Sequence, residues 1–533
     1  MFRNVLAVCL RVRAHTLRQL VLCLTGAVCL AGAAQAQEMV PISATKQLII
    51  QLRDDGVRKL ASVKHDAPIP GLILPDGRHL LYVRSLGDGS IVVRLPDVVS
   101  LEEADVLIAA LLQDPSVQNA QIDKRLHAAL VPNDTNYASQ WHMFEDTAGI
   151  RMEAAWNRST GSAAVVIAVL DTGIIAHADL AAGRILPGYD FISDLPTSND
   201  GDARDADPTD PGDAVVAGEC GTNEPLVNQN SSWHGLSVTG VMVATSDNNN
   251  DMAGIDFAAR ILPVRVLGKC GGFVSDIVEA IRWAAGLAVA GVPVNNNPAQ
   301  VINLSLAGSG ACSPQEQLAI NDAVTAGSVV VVAAGNEGQN VANFSPANCN
   351  NVITVGAVAR DGSIASYTNR GGAVDLVAPG GDGPAANGSD DVLTLWNGGT
   401  TTAGVDLLAF IRGTSFTTAE VSGVAALMLA VDNTLDPVTI KEILRATARA
   451  FPDASCNTNL CGRGILDANA ALAGAADPQS VGAGGGGSGI GAPGGGGGGG
   501  GGGCSVVPAV SPVDPVLPLW LLAAFIGLYR RSR

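Results

Sequence analysis

From about residue 150 onward, the sequence alternates short apolar runs with stretches that carry helix-start and helix-stop residues. Residues 163–170, 328–334 and 352–355 have the apolar, β-branched composition of strands buried on both faces of a parallel sheet. Between them, Ser313-Pro314-Gln315-Glu316 combines an N-cap, a first-turn proline and a capping-box glutamate. This alternation predicts an α/β fold: a doubly wound, mostly parallel sheet with helices on both faces and functional groups at the carboxyl ends of the strands.

Length and charge limit the classes of protein to which the chain can belong. It has 533 residues, of which 47% are hydrophobic and 15% are charged, enough for one large domain with accessory segments. The formal net charge is -18, and no lysine or arginine run lies outside the two ends of the chain. Nucleic acid is therefore excluded as a partner, because binding it requires a basic surface.

The first 36 residues have the three parts of a signal peptide. Arginines precede an apolar run over residues 20–30, and Ala34-Gln35-Ala36 follows as a small-residue cleavage site. The alternative is a transmembrane anchor, but the apolar run is shorter than the roughly 20 residues that a helix needs to span a bilayer. We therefore expect residues 1–36 to direct export and to be removed.

Residues 37–130 carry a pattern of their own. It predicts strands near residues 48–52, 80–83, 91–95 and 117–122 and an amphipathic helix over residues 101–112. These elements suit a small α+β module. Its position between the signal peptide and the α/β domain favours a propeptide, and the alternative is a permanent accessory domain.

The C-terminal part changes composition twice. Residues 476–503 are rich in glycine and predict a flexible linker. Residues 504–533 begin with Cys504, contain an apolar segment over residues 516–529 and end in arginines that favour a cytoplasmic terminus. This order resembles bacterial C-terminal sorting tails of the Gly-Gly type. The resemblance implies a short, transient membrane anchor and a processing protease that leaves the product secreted or at the cell surface.

Asp171 directly follows the apolar run that ends at Leu170. A carboxylate there can accept the Nδ1 hydrogen of a histidine and hold the imidazole in the tautomer that takes a proton from a nucleophile. The alternative is an aspartate that caps a turn. Beyond the predicted propeptide only His142, His177 and His234 can supply the base. We favour His234, which opens a run of small residues, over His177, which follows Asp171 too closely to face it.

Ser415 lies in Gly413-Thr414-Ser415-Phe416, before a run of small, helix-compatible residues. A serine at a helix N-terminus presents its hydroxyl group beside a free backbone N–H, although the position is also that of an ordinary N-cap serine. Asn336 follows another predicted strand and offers a side-chain amide to a developing oxyanion. Asp171, His234, Asn336 and Ser415 therefore form a candidate catalytic set.

In this order along the chain, the four residues resemble the catalytic residues of the subtilases. The resemblance covers residues 133–474 and includes Asp375-Leu376-Val377-Ala378-Pro379-Gly380. It implies a subtilisin-like catalytic domain over residues 131–475 and an inhibitor-like, chaperone-like propeptide over residues 37–130. The implied activity is that of a serine endopeptidase with an acyl-enzyme intermediate.

The resemblance also implies how a substrate is held. An extended protein or peptide chain would lie as a strand between two segments, beside the first specificity pocket. These segments and the pocket comprise Leu304, Ser305, Leu306, Ala307 and Gly308, then Gly271 and Gly272, then Ala333, Ala334 and Gly335. Main-chain capture implies broad specificity, and the enzyme's own propeptide would be the first chain bound. We expect a monomer.

The sequence departs from the family pattern beside the candidate residues. Leu236-Ser237 follow Gly235 where threonine and histidine are usual, and Phe416 replaces methionine. Ala419-Glu420 replace a proline and a histidine, which adds a carboxylate to the helix of the nucleophile. The alternative function is therefore a surface-tethered binding module on an inactivated protease scaffold. Retention of all four catalytic positions argues against it.

Three of the ten cysteines precede residue 37, so six of the remaining seven can pair and one is left over. Export favours disulfides over buried thiols, but spacing alone does not select the pairs. Likeness to secreted Gram-negative subtilases implies pairing Cys220 with Cys270, Cys312 with Cys349, and Cys456 with Cys461.

Residues 201–213 are unusually acidic. The aspartates there are Asp202, Asp205, Asp207, Asp210 and Asp213. Oxygen ligands at this density suit a hard cation, and subtilases commonly carry calcium, so a structural Ca²⁺ is expected here. The alternative is a solvated acidic loop.

Overall fold

The computed structural model describes residues 44–53, 63–74, 76–123, 130–221, 224–383 and 388–482. The predicted signal peptide, Cys504 and the rest of the sorting segment lie outside these residues. So do most of the glycine-rich linker and part of the predicted propeptide junction.

The N-terminal module is a five-stranded antiparallel sheet with one helix. Its elements are β1 (Ala44–Leu52), β2 (Pro68–Ile73), β3 (His79–Ser85), β4 (Ile91–Ser100), α1 (Leu101–Leu111) and β5 (Val117–Ile122), with the strand order β2-β3-β4-β1-β5. Alternate residues of β1, such as Leu48 and Ile50, are buried in a small core of their own. The structure adds β2 to the predicted elements. The prolines in β2 argue against a strand in the sequence, but they are tolerated here because β2 is an edge strand.

The larger domain contains the remaining strands and helices. The strands are β6 (Val166–Asp171), β7 (Tyr189–Asp190), β8 (Arg260–Arg265), β9 (Val301–Leu304), β10 (Gly308–Ser309), β11 (Val329–Ala333), β12 (Phe344–Ser345), β13 (Ile353–Val358), β14 (Leu376–Pro379), β15 (Val392–Asn397) and β16 (Asp406–Ile411). The helices are α2 (Trp141–Phe144), α3 (Met152–Trp156), α4 (Leu195–Ser198), α5 (His234–Val243), α6 (Val274–Ala284), α7 (Pro314–Thr325), α8 (Thr414–Val431), α9 (Pro437–Thr447) and α10 (Ala468–Ala476).

Seven parallel strands form the central sheet, in the order β14-β13-β11-β9-β6-β8-β7. From β6 the chain goes to the edge strand β7 and comes back to β8, which lies beside β6. It then crosses to the other side of β6, where it adds β9, β11, β13 and β14 in turn. The predicted doubly wound α/β fold is confirmed. Its switch point lies between β6 and β9, and folds of this kind bind ligands at the carboxyl ends of the strands beside such a point.

The period of two along β6 sends its side chains into two separate cores. Ile167 and Val169 pack on the face covered by α5, α8, α9 and α10. Ala168 and Leu170 pack on the face covered by α6 and α7. Helix α7 begins with the capping box predicted at Ser313, whose side chain accepts the Glu316 N–H while the Glu316 carboxylate accepts the Ser313 N–H.

Helix α8 runs through the first of these cores, and every residue from Thr414 to Leu429 is buried. Among the described residues it is the one helix long and apolar enough to cross a membrane, but 89% of it is covered by the fold. It is therefore the central helix of the domain. Gly423 permits its close packing, since a Cβ there would lie 2.8 Å from the Cγ2 atom of Ile255.

Candidate active site

The carboxyl ends of three neighbouring strands supply the predicted site residues. Asp171 is the last residue of β6, Ser305 directly follows β9, and Asn336 lies just beyond β11. Because β6, β9 and β11 are adjacent and parallel, these residues lie at one edge of the sheet. The switch point between β6 and β9 falls at the same place.

Asp171 and His234 are in direct contact. The Oδ1 atom of Asp171 lies 2.7 Å from the Nδ1 atom of His234. Asp171 is fully buried, whereas the His234 side chain is 26% exposed. The carboxylate thus holds one nitrogen of the ring, and the ring keeps access to solvent. The structure brings together the acid and the base predicted from the sequence.

The charge environment favours the protonated form of His234. Burial alone would lower the pKa of its imidazole. The negative charge of Asp171 and its hydrogen bond act in the opposite direction, with smaller contributions from Asp213 and Asp210. The net effect raises the pKa of His234 above its ordinary value, so an imidazolium formed during a reaction would be stabilised.

A glycine lets the His234 helix approach the Asp171 strand. A Cβ on Gly235 would lie 2.1 Å from the backbone oxygen of Gly173, a distance that no side chain can occupy. The run of small residues that His234 opens in the sequence accounts for this close approach. Trp233, which precedes the helix, donates its indole N–H to the backbone oxygen of Gly399 at 2.7 Å.

Ser415 lies in the first turn of α8, where backbone N–H groups have no partner within the helix. Its hydroxyl donates to the backbone oxygen of Ser305 at 3.3 Å, and the Ser305 hydroxyl donates to the backbone oxygen of Ser415 at 2.8 Å. The ring centroids of His234 and Phe416 are 6.2 Å apart, so the base lies beside the turn that carries Ser415. Catalytic hydrogen bonds often tighten only when substrate binds.

A polar brace joins β9 to α8, and the sequence analysis missed it. Asn303 donates from Nδ2 to the Ser305 hydroxyl at 2.9 Å and accepts from the Ser422 hydroxyl at 2.9 Å. All three side chains are buried. Asn303 was visible only as a polar residue inside an apolar strand. Because a buried amide needs partners, that anomaly was the available signal.

Asn336 is oriented by its neighbour across the site. Its Oδ1 atom accepts the Thr414 N–H and the Thr414 hydroxyl, each at 2.9 Å. Both acceptor bonds hold the amide by its oxygen, so its Nδ2 donor stays available. An oxyanion between this donor and the first-turn N–H groups of α8 would receive hydrogen bonds from both.

The residues predicted to hold substrate differ in exposure. On one side, Leu304 and Ser305 are buried, Leu306 is half-buried, and Ala307 and Gly308 are exposed. On the other side, Gly271 is half-buried and Gly272 is exposed. Ala333, Ala334 and Gly335 are buried at the end of β11, where a Cβ on Gly335 would lie 2.4 Å from the Nδ2 atom of Asn369.

The other two histidines are engaged elsewhere. His177 accepts the Asp179 N–H at Nδ1 and donates from Nε2 to the backbone oxygen of Leu407. His142 lies with its Nδ1 atom 2.8 Å from the Oε1 atom of Glu420, and both side chains are fully buried. Burial lowers the pKa of His142 to about 3 and raises that of Glu420 well above its usual value.

The acidic segment lies against the site, but its five aspartates do not converge. Asp202 is exposed, Asp205 accepts the Asp207 N–H and Asp207 accepts from Thr209. Asp210 is buried and bonded at both oxygens, to the Thr172 hydroxyl and the Gly212 N–H. Asp213 accepts from Ser232. Within the described ranges, no group of three or more acidic, histidine or cysteine side chains is arranged to hold a metal ion.

A second acidic region, which the sequence analysis did not identify, includes Asp134 and Asp179. Burial raises the pKa of Asp134, and it raises the pKa of Asp179 to about 6. Asp179 accepts from Asn248 and from the Met252 N–H, whereas the Oδ1 atom of Asp134 is buried without a partner. An unpartnered buried carboxylate oxygen is the kind of group that a hard cation satisfies.

Among the described residues, three disulfides tie surface loops to the domain, and they join the pairs that the resemblance implied. They are Cys220–Cys270, Cys312–Cys349 and Cys456–Cys461. The first one fixes the loop after the acidic segment to the predicted substrate edge at Gly271. An ion pair at 2.7 Å between Lys269 and Glu219 reinforces the same junction.

Known proteins are similar to this chain over most of its length. The sequence model of the Subtilase family matches residues 162–484. The chain is 47% identical to an extracellular protease of Xanthomonas campestris over 394 residues, covering 74% of this chain and 65% of the relative. It is 38% identical to an extracellular basic protease of Dichelobacter nodosus over 397 residues, covering 73% and 64%.

A solved structure shows the same likeness. A protease from Pseudoalteromonas arctica superposes with a TM-score of 0.62 at 50% sequence identity, covering 65% of this chain and all of that one. By contrast, the match spans slightly less than two thirds of the length of the Xanthomonas and Dichelobacter proteases.

Proposed function

The chain belongs to the subtilase family, and on that premise we propose that it is an exported serine endopeptidase of broad specificity. The observation that carries the proposal is the contact between the buried Asp171 and the partly exposed His234, which lies beside the helical turn that contains Ser415. Nothing in the comparisons favours the binding-module alternative, since the named relatives are proteases.

In the proposed mechanism, the hydroxyl of Ser415 attacks the scissile carbonyl carbon while the Nε2 atom of His234 takes its proton. Asp171 stabilises the imidazolium through Nδ1. The Nδ2 donor of Asn336 and a first-turn N–H of α8 bind the oxyanion. His234 then protonates the leaving amine, and water, deprotonated by the same imidazole, hydrolyses the acyl-enzyme.

The exposure of Ala307, Gly308 and Gly272 supports capture of a peptide as an added strand. Residues 304–308 would pair with one side of the substrate, and Gly271 and Gly272 with the other. Because backbone bonds carry no side-chain information, specificity would come mainly from the pocket next to residues 333–335. This arrangement fits protein substrates in general.

We further propose that residues 37–130 act as a propeptide and that the C-terminal segment is removed by a processing protease, leaving a monomer outside the cell. The junction would lie between about residues 126 and 133, where a proline-containing linker follows the last strand of the module. Release would depend on the first cut made by the enzyme itself.

The test compares the purified full-length precursor with its Ser415→Ala variant, expressed without other proteases. The parent should hydrolyse casein, react with a fluorophosphonate and appear as two fragments. The variant should do none of these, because it lacks the nucleophile at nearly constant volume. Processing of Ser415→Ala at the same junction would refute self-cleavage. A parent that neither hydrolyses casein nor reacts would refute the enzymatic function.

Structural calcium is the remaining part of the proposal. Two regions are candidates for oxygen ligands: Asp202, Asp205 and Asp207 in the acidic segment, whose carboxylates would have to converge on the cation, and Asp134 with Asp179. Thermal midpoints measured with calcium and with excess chelator should differ. Asp207→Asn and Asp134→Asn would assign the effect, since loss of the calcium dependence in one variant identifies its region. Identical midpoints for the parent would remove the hypothesis.

A further inference from the structure

Thr172, the residue after the catalytic aspartate, has every polar group engaged. Its N–H donates to the Oδ1 atom of Asp171 at 2.7 Å, which is the oxygen that faces His234. Its backbone oxygen accepts from Nε of Arg265 at 3.2 Å. Its hydroxyl donates to the Oδ2 atom of Asp210 at 2.7 Å and accepts the Gly235 N–H at 3.1 Å. The side chain is 4% exposed, so water does not compete for these bonds.

The acceptor bond from Gly235 matters because of where that residue lies. Gly235 directly follows His234 in the first turn of α5. This helix has no side-chain cap of its own, since the residue at its N-cap is Trp233. From its place directly after β6, the Thr172 hydroxyl therefore does what a capping side chain normally does within the helix. This one residue holds both the Asp171 carboxylate and the start of the His234 helix.

Asp210 determines the direction in which the Thr172 hydroxyl points. A hydroxyl has one hydrogen and can accept at its lone pairs. An ionised carboxylate only accepts, so Asp210 takes that hydrogen and leaves a lone pair facing Gly235. Asp210 is itself fixed, because it is 3% exposed and its Oδ1 atom accepts the Gly212 N–H at 2.8 Å.

We propose that Thr172 and Asp210 are positioning residues of the catalytic site: Asp210 orients the Thr172 hydroxyl, and Thr172 fixes the Asp171 carboxylate relative to the His234 helix. This inference rests on the proposed function. It assigns to Asp210 a role inside the protein in place of the cation that the sequence analysis expected it to bind. Neither residue touches the substrate, so their loss affects the reaction step and leaves substrate binding unchanged.

The decisive variant is Thr172→Val, which keeps the shape of the side chain and removes both hydroxyl bonds. We expect kcat to fall about tenfold while KM stays constant. Poorer alignment of Asp171 with His234 should cost about as much transition-state stabilisation as one hydrogen bond supplies. Thr172→Ser retains the hydroxyl and should keep most of the parental kcat. The matched control is Thr239→Val on α5, because the Thr239 hydroxyl is equally buried and has no partner.

A double-mutant cycle tests whether the two residues act as one unit. Asp210→Ala should lower kcat like Thr172→Val, and the double variant should lose no more than either single one. Additive losses would overturn the proposal, and so would an unchanged kcat in Thr172→Val or a change confined to KM. Variants that unfold are recognised by their thermal midpoints, and Thr172→Ala, which also lacks the hydroxyl, then carries the comparison with the parent.

The rate at which diisopropyl fluorophosphate inactivates Ser415 separates this proposal from the proposed function. The reagent needs the activated serine but no substrate edges. A parent that does not react would show that the chain is not a serine hydrolase. A parent that reacts as fast as Thr172→Val would show that the enzyme is active and that the positioning proposal fails.

Discussion

The domain holds two histidine–carboxylate pairs that are nearly identical in local geometry and opposite in charge behaviour. Asp171 and His234 meet at 2.7 Å, and Glu420 and His142 meet at 2.8 Å. In the first pair the carboxylate also accepts the Thr172 N–H, and the ring reaches solvent. In the second pair both side chains are fully buried, and the Nε2 atom of His142 and the Oε2 atom of Glu420 have no partner.

The difference teaches that contact between the two groups does not by itself make a general base. Burial outweighs mutual attraction in the His142–Glu420 pair, so the pKa of the imidazole falls and that of the carboxyl rises. Attraction outweighs burial in the Asp171–His234 pair, so the imidazole pKa rises. The negative charges of Asp171, Asp213 and Asp210 favour the imidazolium in the first pair, whereas burial favours the neutral forms of both groups in the second.

The largest expected effect separates the two histidines by activity. His234→Ala should lower kcat on the order of 10⁶-fold, because the nucleophile loses its base. His142→Ala should leave kcat at the parental order of magnitude. The measurement is the hydrolysis of a chromogenic peptide, normalised to folded protein. A folded His142→Ala variant as inactive as His234→Ala would place the second pair in the catalytic machinery.

The next effect concerns stability. Glu420→Ala leaves the Nδ1 atom of His142 without a partner and opens a cavity in the core, so we expect a loss of about 2–4 kcal/mol in the free energy of unfolding. Glu442→Ala, at a carboxylate that is 51% exposed on α9, is the matched control and should change it by less than about 0.5 kcal/mol. Urea unfolding measures both. Equal effects would mean that the buried pair contributes nothing to stability.

A smaller effect is the pH dependence of that stability. Burial raises the pKa of Glu420 and lowers that of His142, whereas in the unfolded chain glutamate loses its proton near pH 4.5 and histidine near pH 6.5. A carboxyl whose pKa is raised by folding stabilises the folded state at low pH, and this contribution is lost as the pH rises toward the folded pKa. Below pH 6.5 the opposite shift of His142 offsets the loss, so stability should fall with rising pH above pH 6.5.

Glu420→Gln removes this titration and should abolish that part of the decline above pH 6.5. The check is a series of unfolding curves between pH 5 and pH 9 for the parent and the variant. Parallel curves would show that the pair does not hold a proton more tightly in the folded state.

The smallest effect concerns the first pair. The raised pKa of His234 predicts that kcat/KM rises with pH through a midpoint above the ordinary histidine value, since only the neutral imidazole acts as a base. Asp213→Asn removes one of the charges that raise it and should move this acid limb to lower pH by a fraction of a unit. Asp453→Asn, at an exposed and distant carboxylate, should leave the limb in place. A shift in the opposite direction would contradict the assigned charge effect.

The two pairs also differ in how far the sequence reveals them. Asp171 could be predicted because it ends an apolar strand of a parallel sheet, where functional groups gather. Glu420 could only be noted as a carboxylate among small residues. Its partner lies 278 positions away on a four-residue helix, and nothing local marks the contact.

The same limit applies to Thr172 and Asp210, which lie 38 positions apart. Asp210 could be seen as one member of an acidic run, and that pattern predicts a cation. The fold instead gives its carboxylate two donors inside the protein. Sequence patterns reveal elements and strand ends, whereas polar contacts between distant segments depend on the packed structure.

The position of β6 also governs when a newly made molecule can become active. This strand lies in the middle of the sheet, yet both of its neighbours, β8 and β9, come later in the chain, and Ser415 comes later still on α8. A polypeptide emerging N-terminus first from a ribosome or an export channel therefore carries Asp171 well before the strands that flank it and the helix that bears Ser415, the proposed nucleophile. Under the proposed function, a new molecule becomes active only after nearly all of the domain has emerged.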